Sequence, residues 1–300
     1  MAGSRIANTA KTFTLNSGAS IPAVGLGTWQ SKPQEVRRAV EWALAKGYRH
    51  IDTAFAYGNE KEVGAGIKAS GVPREQIWLT TKLDNAWHTR VSEAIDKSLE
   101  NLGTDYVDLY LVHWPCSVDP TDRSKVVEGW NFIDTWREMQ KLPATGKARN
   151  IGVSNMGIRN LERLLSDPSC KVLPAVNQIE LHPGNPSPKL LAYCASKGIH
   201  CSAYSPLGST GSPLYSDENI LAIAKSKGRT PQQVLLLWGL RHGTSVLPKS
   251  VTKDRIEANF DLDGWDLTDG EFAKISAVQT RFKVCSDGWL PEKVFFGDDE

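Results

Sequence analysis

Four residues, Asp52, Tyr57, Lys82 and His113, have the side-chain types to do chemistry together. A phenol that titrates near ~10 keeps its proton at neutral pH and can give it to an oxygen that is gaining negative charge. Tyr57 is therefore the natural general acid. An ammonium beside it, from Lys82, favours the phenolate left behind, and a carboxylate from Asp52 keeps that ammonium charged where water is scarce. His113 can hydrogen-bond a carbonyl oxygen and hold it within reach of the phenol. The set holds no activated nucleophile, so a carbonyl protonated there needs electrons from elsewhere, and hydride from a nicotinamide cofactor is the simplest source. Singly, each residue has a plainer reading: Asp caps helices, Tyr packs, Lys is solvated, and a strand histidine is usually hydrogen-bonded core. Burying all four without a purpose would be unfavourable, so the joint pattern argues for a site.

The elements that must position these residues are legible as periodicity. Short runs rich in β-branched and aromatic residues predict strands over 23–26, 50–53, 77–82, 107–113, 150–153, 175–179, 200–204 and 245–248. Amphipathic stretches between them predict helices over 34–46, 60–68, 91–102, 133–141, 158–165, 189–197, 219–227, 231–240 and 253–258. Several of these run into a glycine, as at Gly47, Gly103, Gly198 and Gly228, which suits a helix terminus. Strict alternation implies parallel strands with right-handed crossovers, and eight units are the count that closes a (β/α)8 TIM barrel. An open doubly wound sheet would need a phosphate loop, but Gly25 with Gly27 and Gly64 with Gly66 lack its third glycine. Residues 13–15 and 20–22 around Asn16-Ser17-Gly18 predict an N-terminal β-hairpin that could plug one barrel end. Asp52, Tyr57, Lys82 and His113 then fall at the carboxyl ends of successive strands, where barrel active sites lie. Two long connections, 115–132 and an extended C-terminal loop over 260–300, are placed to wall that face.

Composition narrows the class. The chain has 300 residues with 35 Lys and Arg against 34 Asp and Glu, a net charge of +1, which gathers neither nucleic acid nor anionic membrane. Its longest apolar run, around Val234 to Trp238, is far short of a membrane span, and no linker divides it, so residues 1–300 read as one domain. The first eleven residues carry no apolar stretch of a secretory signal, which makes the cytoplasm the expected location. Five scattered cysteines without a Cys-x-x-Cys pair read as reduced thiols, and no two of the six histidines fall at the i, i+4 spacing of a helical ligand pair, so no metal is expected.

Longer motifs carry a resemblance. Gly25-Leu26-Gly27-Thr28-Trp29, Tyr48-Arg49-His50-Ile51-Asp52-Thr53-Ala54, Asp105 through His113-Trp114-Pro115, and Ile151-Gly152-Val153-Ser154-Asn155 are followed by Pro174 through His182-Pro183. Ala203-Tyr204-Ser205-Pro206-Leu207-Gly208 and Leu247-Pro248-Lys249-Ser250-Val251-Thr252 complete the series. From about residue 13 to the tail the chain is similar to the aldo-keto reductase superfamily, to its aldose and aldehyde reductases and NADP-dependent glycerol dehydrogenases. The resemblance implies a barrel that reduces aldehydes and ketones with NADPH, oxidising polyols in reverse, with Asp52, Tyr57, Lys82 and His113 as the catalytic tetrad. It implies nicotinamide stacked on Tyr204 with its carboxamide held by Ser154, Asn155 and Gln178, and further cofactor contacts at Gly27, Thr28, Trp29 and Asp52. The pyrophosphate would run along Ser205, Pro206, Leu207 and Ser209. Lys249, Ser250, Val251 and Arg255 would take the adenosine 2′-phosphate, where fixed cations favour NADPH over NADH, and Asn259 would take the adenine.

Departures from the family pattern shape finer expectations. Ala258, preceded by Glu257, stands where relatives carry a Glu that touches adenine. Gln30 and Gly211 replace a Lys–Asp pair that clasps the cofactor in some relatives, which implies faster NADP+ release. His113, where double-bond reductases carry Glu, implies carbonyl substrates. Trp29, Tyr57, Trp87, His113 and Trp114 are expected around the substrate, with Trp130 or Phe132 and Trp289 as further walls. Asp84, with Asn85 next to it, stands where the family carries a Trp after its Lys-Leu, and implies a polar rim suited to hydroxylated or sugar-derived aldehydes. Two other readings are a Schiff-base lyase using Lys82 and a slow, nucleotide-sensing accessory subunit. A monomer is expected from the resemblance.

Overall fold

The computed structural model describes residues 7–297; the ends of the chain, on which part of the terminal-signal reading fell, lie outside them. A hairpin of β1 (Thr12–Thr14) and β2 (Ser20–Pro22) precedes eight parallel strands: β3 (Leu26–Gly27), β4 (His50–Asp52), β5 (Trp78–Leu83), β6 (Val107–Val112), β7 (Ala148–Ser154), β8 (Val176–Glu180), β9 (His200–Tyr204) and β10 (Ser245–Leu247). Each pairs with its sequence neighbour, and parallel bridges from Val24 to Val246 and from Gly27 to Lys249 close β10 against β3. The result is the expected barrel. Its first strand is shorter and later than predicted, because pairing with β4 starts only at Leu26, although Ala23 and Gly25 already bond to Val246 of the last strand. A Cβ on Gly25 would run into Leu247 and His50, and one on Gly27 into the Leu247 carbonyl.

Helices α1 (Pro33–Lys46), α2 (Glu60–Ser70), α3 (Val91–Leu102), α4 (Phe132–Met139), α5 (Leu142–Thr145), α6 (Ile158–Ser166), α7 (Pro188–Ser196), α8 (Glu218–Lys227), α9 (Pro231–Arg241) and α10 (Lys253–Phe260) cover the barrel. Their apolar stripes pack with the strands in the main core, and a second cluster sits at the hairpin end of the barrel; β5 and β6 are buried at every position, as strands covered on both faces must be. The helix expected over 133–141 stops at Met139 and a separate turn, α5, follows with Pro143 in its first turn. The hairpin seats Leu15 and Ile21 against Trp78, Leu109, Ala175 and Val176, close to the starts of β5, β6 and β8, and so covers the end opposite the site.

The tail differs from the expectation of one long loop. Residues Asp269–Ser276 form an eleventh helix, α11, started by a capping box in which Thr268 Oγ1 accepts from the Glu271 amide and Glu271 accepts from the Thr268 amide. It packs on the α8–α9 layer, where Trp238 Nε1 donates to Ser276 Oγ at 2.9 Å and Phe272 lies beside Trp238. Only after Phe282 does the chain reach the carboxyl end of the barrel. Among the described residues no helix is long and apolar enough to cross a membrane.

Candidate active site

The barrel brings its polar strand ends to one mouth. Asp52 ends β4, Lys82 lies one residue from the end of β5, His113 follows β6, Ser154 ends β7, Gln178 lies in β8 and Tyr204 ends β9. Tyr57 closes the single helical turn Phe55–Tyr57. Lys82 is fully buried, and its Nζ donates to Asp52 Oδ1 at 2.6 Å, to the Thr53 carbonyl at 2.8 Å and to the Tyr57 hydroxyl at 3.4 Å. All three ammonium protons therefore have acceptors. The other Asp52 oxygen accepts from Gln178 Nε2 at 2.7 Å, so Gln178, expected at the nicotinamide, also braces the carboxylate. Removing one partner of such a buried pair costs about 3–5 kcal/mol. The His113 ring meets the Tyr57 ring edge-on, 5.6 Å between centroids, and its carbonyl accepts from Asn155 Nδ2 at 3.0 Å.

Burial sets the resting proton states. It pushes the Tyr57 phenol well above 10, and the charge of Asp52 and the neighbouring Cys285 add to this. Burial also pulls Lys82 below the usual ammonium range, against which Asp52 works through both charge and hydrogen bond. His113 falls well below 6.5, first through burial and then through the charge of Lys82 and nearby His88. From the sequence, Lys82 is expected to ease the phenol proton away. In the structure burial and Asp52 outweigh that, so the phenol holds its proton and His113 is a neutral imidazole.

These groups, with Lys82 just behind them, open into one cleft of about 1190 Å³. Among the described residues, four of the five non-glycine residues with positive φ line it: Gln30 (56°), Asn155 (59°), Ser205 (47°) and Ser209 (69°). Backbone held in the left-handed region costs of order 1–3 kcal/mol per residue and gathers where a ligand needs it. Tyr204 is half-buried on the cleft wall, its hydroxyl donating to Asn155 Oδ1 at 2.7 Å, while Ser154 Oγ donates to the Gln178 carbonyl at 2.8 Å. On the β10–α10 side lie exposed Lys249 and Arg255 with buried Ser250 and Asn259. An aromatic platform at one set of strand ends and two exposed cations beyond β10 fit a dinucleotide carrying an extra phosphate. Every residue expected to contact the cofactor, from Gly27 to Asn259, lines this cleft. Glu257, by contrast, faces Lys253 at 3.8 Å on the surface.

The substrate side needs correction. Trp29 and Trp114 line the cleft, as does Trp289, 59% exposed, whose ring stands edge-on to Trp114 at 5.5 Å. Trp87 does not line it: its ring packs against Phe55 and lies under the Arg90 guanidinium at 4.1 Å. Trp130 and Phe132 are also elsewhere, the first bonded to Thr135 Oγ1 and the second buried at the start of α4. The long loop contributes Val118 and Arg123 instead, and Arg123 Nη2 lies 3.5 Å from Asp84 Oδ1. The tail contributes Val284, Cys285 and Ser286, which sequence reasoning missed. Their only signal was position in a tail aimed at the mouth.

Residues 23–280 match the model of the aldo/keto reductase family. The chain is 47% identical to glycerol 2-dehydrogenase (NADP(+)) of Saccharomyces cerevisiae, over 95% of this chain and 97% of that one. It is 50% identical to D-galacturonate reductase of Hypocrea jecorina, over 86% and 88%. Among solved structures, the Bombyx mori aldo-keto reductase in complex with NADP superposes with a TM-score of 0.86 and 39% identity, covering 93% of this chain and 96% of that one. With this match over most of its length and this barrel, the chain belongs to the aldo/keto reductase family.

Proposed function

We propose that this chain reduces small hydroxylated or sugar-derived aldehydes to alcohols and oxidises the corresponding polyols in reverse, with Tyr57 as general acid. It is an NADP-dependent oxidoreductase acting on carbonyl groups. The observation that carries the reading is the buried Asp52–Lys82 pair with Tyr57 at its outer end and His113 beside it. When bound, NADPH supplies the hydride; Tyr204 would stack on its nicotinamide, Ser154 and Asn155 would hold the carboxamide, and Lys249, Ser250 and Arg255 would hold the 2′-phosphate.

His113 donates a hydrogen bond to the substrate carbonyl and orients it toward the phenol, which its neutral imidazole can do without competing for the proton. Tyr57 then gives its proton to that oxygen as negative charge develops there. The phenolate that remains is the state Lys82 stabilises, because its ammonium is already directed at the Tyr57 oxygen. A phenol held above its ordinary pKa is released only when the carbonyl oxygen becomes the stronger base, which ties proton transfer to reduction.

Asp84, Asn85, Arg123 and Ser286 make the substrate side polar, and Asn85 Nδ2 is buried without a partner among the described residues. That rim, with relatives named for glycerol and D-galacturonate, supports the hydroxylated substrate class. Lys82 is a poor Schiff-base nucleophile, since all three of its protons are engaged, and the intact tetrad favours turnover over a sensing subunit. We place the protein in the cytoplasm, in keeping with its five free cysteines, and take it as a monomer from the family resemblance alone. NADPH oxidation followed by absorbance across DL-glyceraldehyde, a hexuronate, an aromatic aldehyde and a ketone, with NADH as control, tests the reading. Preference for NADPH and for the two hydroxylated aldehydes is expected; no turnover despite saturable NADPH binding would move the assignment to the sensing subunit.

A further inference from the structure

A buried carboxylate that the chemistry above does not use sits just behind the cleft. Glu180, the last residue of β8, has a side chain only 1% exposed, yet donors converge on both of its oxygens. The Val284 amide donates to Oε1 at 2.6 Å, the Cys285 amide to Oε2 at 2.8 Å, and His182 Nε2 lies 2.9 Å from Oε1. Charge-assisted bonds of this length are the strong class, and two successive main-chain amides on one carboxylate fix both position and direction of the segment that carries them. The surroundings reinforce the grip. Phe282 stacks on the His182 ring at 4.5 Å, its amide donates to the Gly184 carbonyl at 3.1 Å, and a Cβ at Gly184 would collide with the Phe282 ring.

The gripped residues are the ones that turn into the site. Val284, Cys285 and Ser286 line the cleft, and the Cys285 thiol lies close enough to the Tyr204 hydroxyl for each to affect the other's titration. Beyond them the chain is fastened again, where Asp287 accepts from the Val294 and Phe295 amides at 2.9 Å each and Asn160 Nδ2 donates to the Val294 carbonyl at 3.1 Å. Trp289 hangs on the loop that Asp287 closes, just beyond the gripped segment. We propose that Glu180 is a positioning residue for the substrate wall: by holding the Val284 and Cys285 amides it sets where the tail, and with it Trp289, stands against the cleft. It thereby governs how tightly aldehydes bind rather than how fast they are reduced. The proposal rests on the reductase reading for its kinetic consequence and on geometry alone for the grip.

The test is Glu180→Gln, which keeps the shape but turns an amide NH2 toward a main-chain donor. KM for glyceraldehyde and for an aromatic aldehyde should rise five- to tenfold, with kcat and the NADPH Kd changed less than twofold. Hydrogen exchange at the Val284 and Cys285 amides should accelerate at least a hundredfold, while amides of β8 stay protected. A folded variant with unchanged KM and unchanged exchange would overturn the proposal. So would a variant that loses kcat with KM constant. If the variant does not fold, exchange in the wild-type protein decides: protection of these two amides well above that of Gly288 is expected, and equal exchange would overturn the grip. Exchange needs no turnover, so failure of the reductase reading is separable from failure of the grip.

Discussion

At the scale of single residues, the site is a case of burial deciding proton states. Tyr57 keeps its proton because its surroundings resist the phenolate, and burial works against the Lys82 charge while Asp52, and less so Glu60, works for it. Tyr57→Phe removes the proton donor and leaves the cleft intact. Turnover should fall by about 10²–10⁴-fold or more, while NADPH binding, read by fluorescence titration, is preserved; retained turnover would remove Tyr57 from the mechanism. Lys249 and Arg255 are exposed cations set to meet a phosphate dianion. Replacing either by Ala should weaken NADPH roughly tenfold or more while leaving NADH affinity nearly unchanged, and an equal loss for both cofactors would show that neither reads the 2′-phosphate. The tetrad could be read from sequence because titratable types at successive strand ends are rare without purpose. The Gln178 brace on Asp52, the Glu180 grip and the displacement of Trp87 could not, since each depends on which of several neighbours a side chain turns toward.

At the scale of elements, the strands and helices followed from periodicity, and misreadings arose where short-range signals compete. The capping box Thr268-x-x-Glu271 was present in the sequence, but the surrounding aromatics suggested a cleft wall. In the structure Phe272 instead packs on α9. Thr268→Ala should therefore cost about 1 kcal/mol, a fall in melting temperature of about 2 °C. It should leave kcat and KM alone, because α11 lies apart from the cleft; an altered KM would mean that α11 positions the tail beyond Phe282. The first strand was placed early for a related reason. Its apolar residues begin at Ala23, and Ala23 and Gly25 do bond to Val246 of β10, but pairing with β4 is confined to Leu26–Gly27.

At the scale of the whole molecule, closing the barrel buries histidines that have no charged state in the fold. Burial lowers His50 to about 4 and His88 to about 3, both residues being 1% exposed. The unfolded chain protonates them near 6.5, so between that pH and their folded values it binds more protons than the native state. Stability present above about pH 6.5 is thus lost as the pH falls toward 4. The loss is on the order of 2 kcal/mol for each histidine by pH 5. Calorimetry should show the melting temperature falling by several degrees between pH 7.5 and pH 5; a flat profile would contradict the buried neutral assignment. His113, also held well below 6.5, should place no inflection near pH 6.5 in kcat/KM.

What the sequence determined by itself was everything carried by local order: alternation of period-2 and period-3.6 segments, hence eight parallel strands, and the placement of Asp52, Tyr57, Lys82 and His113 at strand ends on one face. Chain connectivity forces those facts, because a parallel strand always presents its carboxyl end to the same side. Only the tertiary structure decided which groups meet across the mouth. That Glu180 takes amides 104 and 105 residues downstream, that Arg123 reaches Asp84, and that Cys285 touches Tyr204 depend on how irregular segments settle once the barrel exists. Such segments have no periodicity to read, and their backbone donors find partners only among acceptors that the closed barrel has already fixed in place.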